Sequence, residues 1–207
     1  MAGSEKQKRM SDADYLKAEE KASVRHEYVD GYVFAMSGAT QAHNRICTNL
    51  LALLHSQLRG GPCSVYAADM KVQIQAANSY YYPDLVVSCE AYDAKSVVLK
   101  HPVLVIEVLS PSTASTDKRE KLIAYQKLAS LKEYVIVYQD RKQVLLYRRG
   151  ADDIWELSTI NGSDALDLES ISSGRFSIQL DLIYESTSVP GRVKEAESAY
   201  DVSAGSV

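Results

Sequence analysis

The sequence predicts an α/β domain: a mixed β-sheet flanked by helices, with a helix and a hairpin at its N-terminal end. Three observations carry this. A helix-patterned segment opening at Asp117 lies between two apolar, β-branched strands, Val103–Leu109 and Tyr134–Tyr138. A helix bridging two such strands is the mark of a parallel crossover. Asp30-Gly31 stands between two β-rich runs, Val24–Val29 and Tyr32–Met36, which is a strong hairpin signal. Finally, Ile46, Leu50, Leu51, Leu53, Leu54 and Leu58 recur near helical spacing between Thr40 and Arg59, as one buried helix face requires.

The remaining elements follow in order. Ser11 caps a short helix from Asp12 to about Lys21. Ser37-Gly38 is a loop before the long helix, and Gly60-Gly61-Pro62 stops that helix. Cys63–Ala67, Met70–Gln75 and Tyr81–Ser88 read as strands. Val97–Leu109 is the most apolar stretch, and its Val/Ile density predicts a central strand buried on both faces, ended by Ser110-Pro111-Ser112. Asp117 and Glu120 form a D-x-x-E arrangement that opens a helix to about Ala129. Glu133–Gln139 and Gln143–Arg148 form a hairpin about Asp140-Arg141-Lys142, followed by strands at Ile154–Ile160 and Ser177–Leu182. The expected organisation is a single domain over residues 11–186 with polar tails at 1–10 and 187–207.

Composition limits the function classes. With 207 residues, 46% hydrophobic and 24% charged, the chain can build a sizeable core, and global disorder is excluded. No stretch approaches the ~18 consecutive apolar residues of a transmembrane helix. The opening MAGSEKQKRMSDAD lacks the apolar segment of a signal peptide, so a cytoplasmic protein is expected. Cys47, Cys63 and Cys89 form no C-x-x-C pair and are expected as buried free thiols in a reducing compartment. The net charge of −4 argues against a broadly basic, phosphate-binding chain. It is unevenly spread, however. Residues 116–149 carry nine Lys+Arg against four acids, and residues 150–207 carry three against eleven.

The chemistry lies in two acids on apolar strands. Asp84 sits in YYPDLVVSC and Glu107 in VLVIEVLSPS. Carboxylates are rarely buried unless paired or bound to a cation. Two of them at adjacent strand ends can share a divalent metal through hard oxygen ligands, or each can be satisfied by backbone amides or an arginine. Lys118, Lys121, Leu122 and Tyr125 share one stripe of the following helix. A lysine there either snorkels to solvent or reaches the acids. Glu27 precedes the hairpin turn, and His43 opens the long helix. Asp69 and Lys71 flank Met70 and are expected to point outward. Neither a Gly-rich phosphate loop nor a nucleophile elbow is present.

Pro83-Asp84 followed by Glu107 on a core strand resembles the PD-(D/E)XK nuclease superfamily. The segments RHEYVDGYVFAMSGAT, YAADMKV, YYPDLVVSC, LVIEVLSPSTASTDKREKLIAYQKLASLKEYVIV and QVLLYRR are similar to a widespread bacterial family of restriction-endonuclease-like proteins, from about Tyr15 to Glu185. One position departs from the superfamily pattern: Leu109 stands where the strand lysine, two residues after the acid, belongs. The resemblance implies that Lys121, or Lys118, substitutes for it from the following helix. It further implies that Asp84, Glu107 and the Val108 carbonyl hold Mg²⁺ or Mn²⁺, with Glu27 as a further ligand or supporting acid; His43, within the matched segment, is either an accessory group that contacts a phosphate or the acids, or a structural histidine. The implied activity is metal-dependent hydrolysis of DNA phosphodiester bonds by a homodimer. The alternative is a nuclease-fold protein with weak or no catalysis that binds DNA or a protein partner.

Overall fold

The computed structural model describes residues 9–109, 117–171 and 175–190, apart from the side chains of Asp117 and Lys118. Ser110-Pro111-Ser112 and the segment after Pro190 therefore lie outside the described residues. The α/β expectation holds, but the strands divide between two main sheets and a small third. Helix α1 spans Asp12–Glu19, and the Ser11 hydroxyl accepts the Asp14 N–H as its cap. Strands β1 (His26–Val29) and β2 (Tyr32–Ala35) form the expected hairpin. Asp30 and Gly31 have φ of 46° and 93°, the left-handed pair that a type I′ turn needs and that Asp-Gly tolerates. Helix α2 (Gln41–Leu58) is capped by Thr40, and Gly60 beyond its end has φ 79°, the usual left-handed stop.

Strands β3 (Ser64–Ala67), β4 (Lys71–Ile74), β5 (Ser79–Tyr81) and β6 (Leu85–Ser88) follow. The run read as one strand, Tyr81–Ser88, is thus broken at Tyr82-Pro83-Asp84. Proline cannot donate to a ladder, and the chain changes sheets there. The Val97–Leu109 run is likewise two strands, β7 (Val98–Leu99) and β8 (Pro102–Leu109). A π turn at Asp117–Lys121 leads into helix α3 (Leu122–Tyr125), shorter than the helix to Ala129 that the pattern suggested. Arg149 satisfies the backbone after this early end: its guanidinium donates to the carbonyls of Gln126, Leu128 and Leu131, groups that lack a partner past a helix C-terminus.

Strands β9 (Glu133–Tyr138), β10 (Gln143–Arg149) and β11 (Trp155–Asn161) form a meander. Strand β12 (Ala165–Leu168) escapes the sequence reading. The Ser177–Leu182 segment is half strand and half helix, β13 (Phe176–Gln179) and α4 (Leu180–Ile183).

The sheet orders are β2-β1-β5-β4-β7 and β11-β10-β9-β8-β6-β3. The anticipated crossover is present, with β8 and β9 parallel and Glu107 opposite Ile136. One face of the six-stranded sheet packs on α2 and the β12–β13–α4 unit through Leu85, Ile106, Val108 and Val135. Its other face packs on α3 and the five-stranded sheet through Val86, Val105, Leu109, Tyr125 and Tyr134. Tyr15, Tyr28 and Tyr80 seat α1 on the outer face of the five-stranded sheet. No helix among the described residues is long and apolar enough to cross a membrane.

Two of the cysteines depart from expectation. Cys63 and Cys89 are disulfide-bonded, and only Cys47 is free. Their sequence separation of 26 hid them. They meet because β3 and β6 pair antiparallel with Ser64 opposite Ser88, which brings the next residues out on each strand together. The bond closes a loop that chain-entropy reasoning values at about 3.5 kcal/mol. Cys63→Ser should lower the urea midpoint of the oxidised protein by the equivalent of about that amount, and leave the reduced protein almost unchanged. Equal midpoints for oxidised wild type and variant would show that the bond does not form in solution.

Candidate active site

Strand alternation sets Glu107 apart from its neighbours. Ile106 and Val108 face the α2 layer, so Glu107 faces the layer between the sheets. It is 3% exposed. A carboxylate this deep needs partners, and the crossover supplies two. Lys121 Nζ lies 3.3 Å and the Tyr125 hydroxyl 3.4 Å from Glu107 Oε1. Lys121 and Tyr125 are four residues apart, so they reach the same acid from one side of the π turn and α3. Burial, with Glu107 beside it, pushes the Tyr125 hydroxyl well above its ordinary pKa and keeps it a donor.

Lys121 is itself only 6% exposed. Its ammonium lies 2.8 Å from Glu27 Oε1 and over the Tyr81 ring, 5.5 Å from the centroid. It therefore joins a carboxylate of β1 to one of β8, across two sheets. Leu109 is buried in the same interlayer, so the position two after the acid is apolar and the lysine arrives from the crossover. Of the two candidate lysines, Lys121 makes this contact; the side chain of Lys118 lies outside the described residues. Glu27 also accepts from the Tyr82 N–H at 3.5 Å. Glu27 is ion-paired to Lys121, and among the described residues Glu27, Asp84 and Glu107 do not form a group at ligand spacing.

Asp84 stands at the mouth of β6. Leu85 pairs with Ile106, and one further step of that antiparallel ladder sets Asp84 across from Glu107. Asp84 Oδ2 accepts the Val108 N–H at 2.7 Å and lies 3.2 Å from His43 Nε2. Val108 thus contributes its amide to the acid, a contact distinct from the carbonyl role expected of it. His43 is oriented by its place in the first turn of α2, where its N–H donates to the capping Thr40 hydroxyl. Cys47, one turn on, has its Sγ 3.6 Å from His43 Nδ1.

A second buried polar group lies beside this one. Glu19 accepts from the His26 N–H, His26 Nδ1 contacts its other oxygen, and the Tyr82 hydroxyl donates to it. Lys71 donates in turn to the Tyr82 hydroxyl at 3.2 Å, and burial lowers the Lys71 pKa. Lys71 was expected outside. Alternation across Met70 has the right parity, since Met70, Val72 and Ile74 share the interlayer face, but the opposite face is covered by Tyr82 and by Glu19 of α1, so Lys71 is buried there. Asp69 is exposed and pairs with Arg25. Tyr125, Cys47, Glu19 and Lys71 were not recognised as polar partners. Only the first two carried a signal, their i+4 spacing from Lys121 and His43.

The basic excess of residues 116–149 is also partly structural. Arg148 pairs with the buried Glu133, Arg149 holds the carbonyls after α3, and Lys142 pairs with Asp181. Arg119, Lys127 and Lys132 are the exposed basic residues of that segment among those whose side chains are described.

Comparisons with known proteins bear on the family and the fold. The Uma2 family, described as "Putative restriction endonuclease", matches residues 12–181. An uncharacterized protein of Synechocystis sp. is 36% identical over 177 residues, covering 85% of this chain and 92% of the relative. A second uncharacterized Synechocystis protein is 33% identical over 156 residues, covering 74% and 88%. The crystal structure of "a putative nuclease belonging to DUF820" from Anabaena variabilis superposes with a TM-score of 0.71 over 84% of this chain and 97% of that one, at 15% identity. Its likeness is one of fold. With a family match spanning most of its length and a nuclease-like fold around the Asp84–Glu107 strands, the chain belongs to the Uma2 family of restriction-endonuclease-like proteins.

Proposed function

We propose that the chain is a metal-dependent endonuclease that hydrolyses DNA phosphodiester bonds at Asp84, Glu107 and Lys121. The observation that carries this reading is the ammonium of Lys121 on Glu107, which stands in for the lysine that Leu109 displaces. The donor chemistry fits a hard cation. Mg²⁺ and Mn²⁺ take carboxylate and carbonyl oxygens, and Asp84, Glu107 and the Val108 carbonyl are such a set. A divalent ion held there supplies Lewis-acid polarisation of the phosphodiester and acidifies a bound water.

The chain's own groups do the remainder. The Val108 N–H and His43 fix one oxygen of Asp84. The Tyr125 hydroxyl fixes Glu107. Lys121 orients the attacking water or stabilises the charge that builds on the phosphoryl oxygens, with Glu27 holding its ammonium in place. Exposed Arg119, Lys127 and Lys132 would meet the backbone phosphates. A homodimer would offer one site to each strand of a duplex. The setting is taken to be cytoplasmic, where the Cys63–Cys89 pair would be under reducing pressure.

A second reading has one observation in its favour. Lys121 is closer to Glu27 than to Glu107, at 2.8 against 3.3 Å, as in a purely structural ion pair. The protein would then bind DNA or a partner without cutting.

One assay set separates the two readings. Plasmid and single-stranded DNA are incubated with Mg²⁺ or Mn²⁺. Asp84→Asn and Glu107→Ala should lower cleavage about a thousandfold or more and weaken Mn²⁺ binding. Cleavage at the wild-type rate by either variant rules out the assignment. Lys121→Met should retain Mn²⁺ binding while losing about a hundredfold in rate. Because it leaves the buried Glu107 and the half-buried Glu27 without their shared cation, it should also cost about 3 kcal/mol of stability, read by urea unfolding. DNA binding should weaken steeply between low and high salt. Salt-sensitive DNA binding with no cleavage under either metal supports the second reading.

A further inference from the structure

We infer that His43, Cys47 and Asp84 form a binding site for a thiophilic divalent ion of the Zn²⁺ class, distinct in chemistry from the oxygen-only set proposed for Mg²⁺. His43 and Cys47 are four residues apart on α2 and so share one face of that helix. Asp84 comes to them from the mouth of β6. The imidazole lies between the other two groups, Nδ1 at 3.6 Å from Cys47 Sγ and Nε2 at 3.2 Å from Asp84 Oδ2. One ligand atom from each residue lies within 4.8 Å of the other two. With Zn–N and Zn–O near 2.0 Å and Zn–S near 2.3 Å, tetrahedral ligand atoms stand about 3.3–3.6 Å apart. Closing the three onto one ion thus takes about 1 Å of side-chain adjustment.

The ligand types decide which ion. A thiolate and an imidazole suit Zn²⁺ or Co²⁺ and are poor ligands for Mg²⁺. Burial holds the Cys47 thiol protonated by pushing its pKa up. On binding, the metal–sulfur bond replaces the S–H bond and the proton leaves to solvent. His43 and Asp84 are 14% and 21% exposed at their side chains, which leaves a fourth position open to water, as in three-ligand zinc sites.

Asp84 belongs to both sites. An ion held by His43 and Cys47 would compete for this carboxylate, which already lies 3.2 Å from His43 Nε2. Zinc would therefore act as an antagonist of the Mg²⁺-dependent reaction. That consequence rests on the nuclease reading; the binding itself does not.

The test uses Co²⁺ as the probe on the full chain. Titration should produce the sulfur-to-cobalt charge-transfer band and the intense visible bands of a four-coordinate site. Cys47→Ser should remove the charge-transfer band, and His43→Ala should weaken Co²⁺ binding by about tenfold or more. Circular dichroism would confirm that each variant is folded, and Cys47→Ala provides a second sulfur-free variant. No charge-transfer band in the wild type, or a band that persists in both Cys47 variants, overturns the site. Where cleavage is measurable, Zn²⁺ should inhibit the wild type and inhibit Cys47→Ser about tenfold less. Equal inhibition overturns the antagonism. A cobalt–thiolate band in a protein that never cleaves DNA leaves the site standing and removes only the nuclease reading.

Discussion

The arrangement depends on one ammonium placed between a buried carboxylate, Glu107, and a half-buried one, Glu27. Glu107 sits in a strand packed on both faces, and Glu27 comes from the neighbouring sheet. Each would be a poor choice for its surroundings without a cation. Lys121 answers both, and it does so from the crossover that joins the parallel strands β8 and β9. A buried ion pair adds little net stability compared with well-packed apolar groups. Its effect here is positional. It determines where the two sheets and the crossover stand relative to one another, because an apolar interlayer would tolerate several offsets at similar energy.

The tyrosine content follows from the same arrangement. The chain has 14 Tyr against 2 Phe. The rings fill the interlayer and the space under α1, while the hydroxyls reach polar atoms that the layers would otherwise strand. Tyr125 meets Glu107, Tyr82 meets Glu19, Tyr15 meets the His26 carbonyl, and Tyr28 meets that of Met10. A phenylalanine in these places would pack as well and take one hydrogen-bond donor away from each acceptor.

Much of the fold was legible because local chemistry and the final structure agree. Ser11, Asp30-Gly31, Thr40 and Gly60 each do what their residue types favour, and the boundaries they set hold to within a few residues. The acids were legible because Glu107 contradicts its apolar context. The division into two sheets was not, since Tyr81 and Leu85 carry the same β-propensity and only their pairing partners, Val72 and Ile106, differ. The disulfide and the inward Lys71 were missed for related reasons. One depends on strand pairing and the other on Tyr82 and Glu19, which cover the face of β4 turned away from the interlayer. Lys121 was singled out by resemblance, while its bond to Glu27, drawn from a different sheet, had no local trace.

The chain passes from one sheet to the other through three residues, Tyr82, Pro83 and Asp84. Both ends of this bridge are clamped, Tyr81 against Val72 and Leu85 against Ile106. Pro83 removes one of its few free torsions. Such a tether has almost no slack. Any sliding of the sheets past each other pulls directly on the Asp84 carboxylate and on its bond to Val108. Lengthening the bridge by a single residue turns the acid to the opposite side of the strand. The hinge between the layers and the mount for the acid are the same short piece of backbone, so the stiffness of the one sets the positional accuracy of the other.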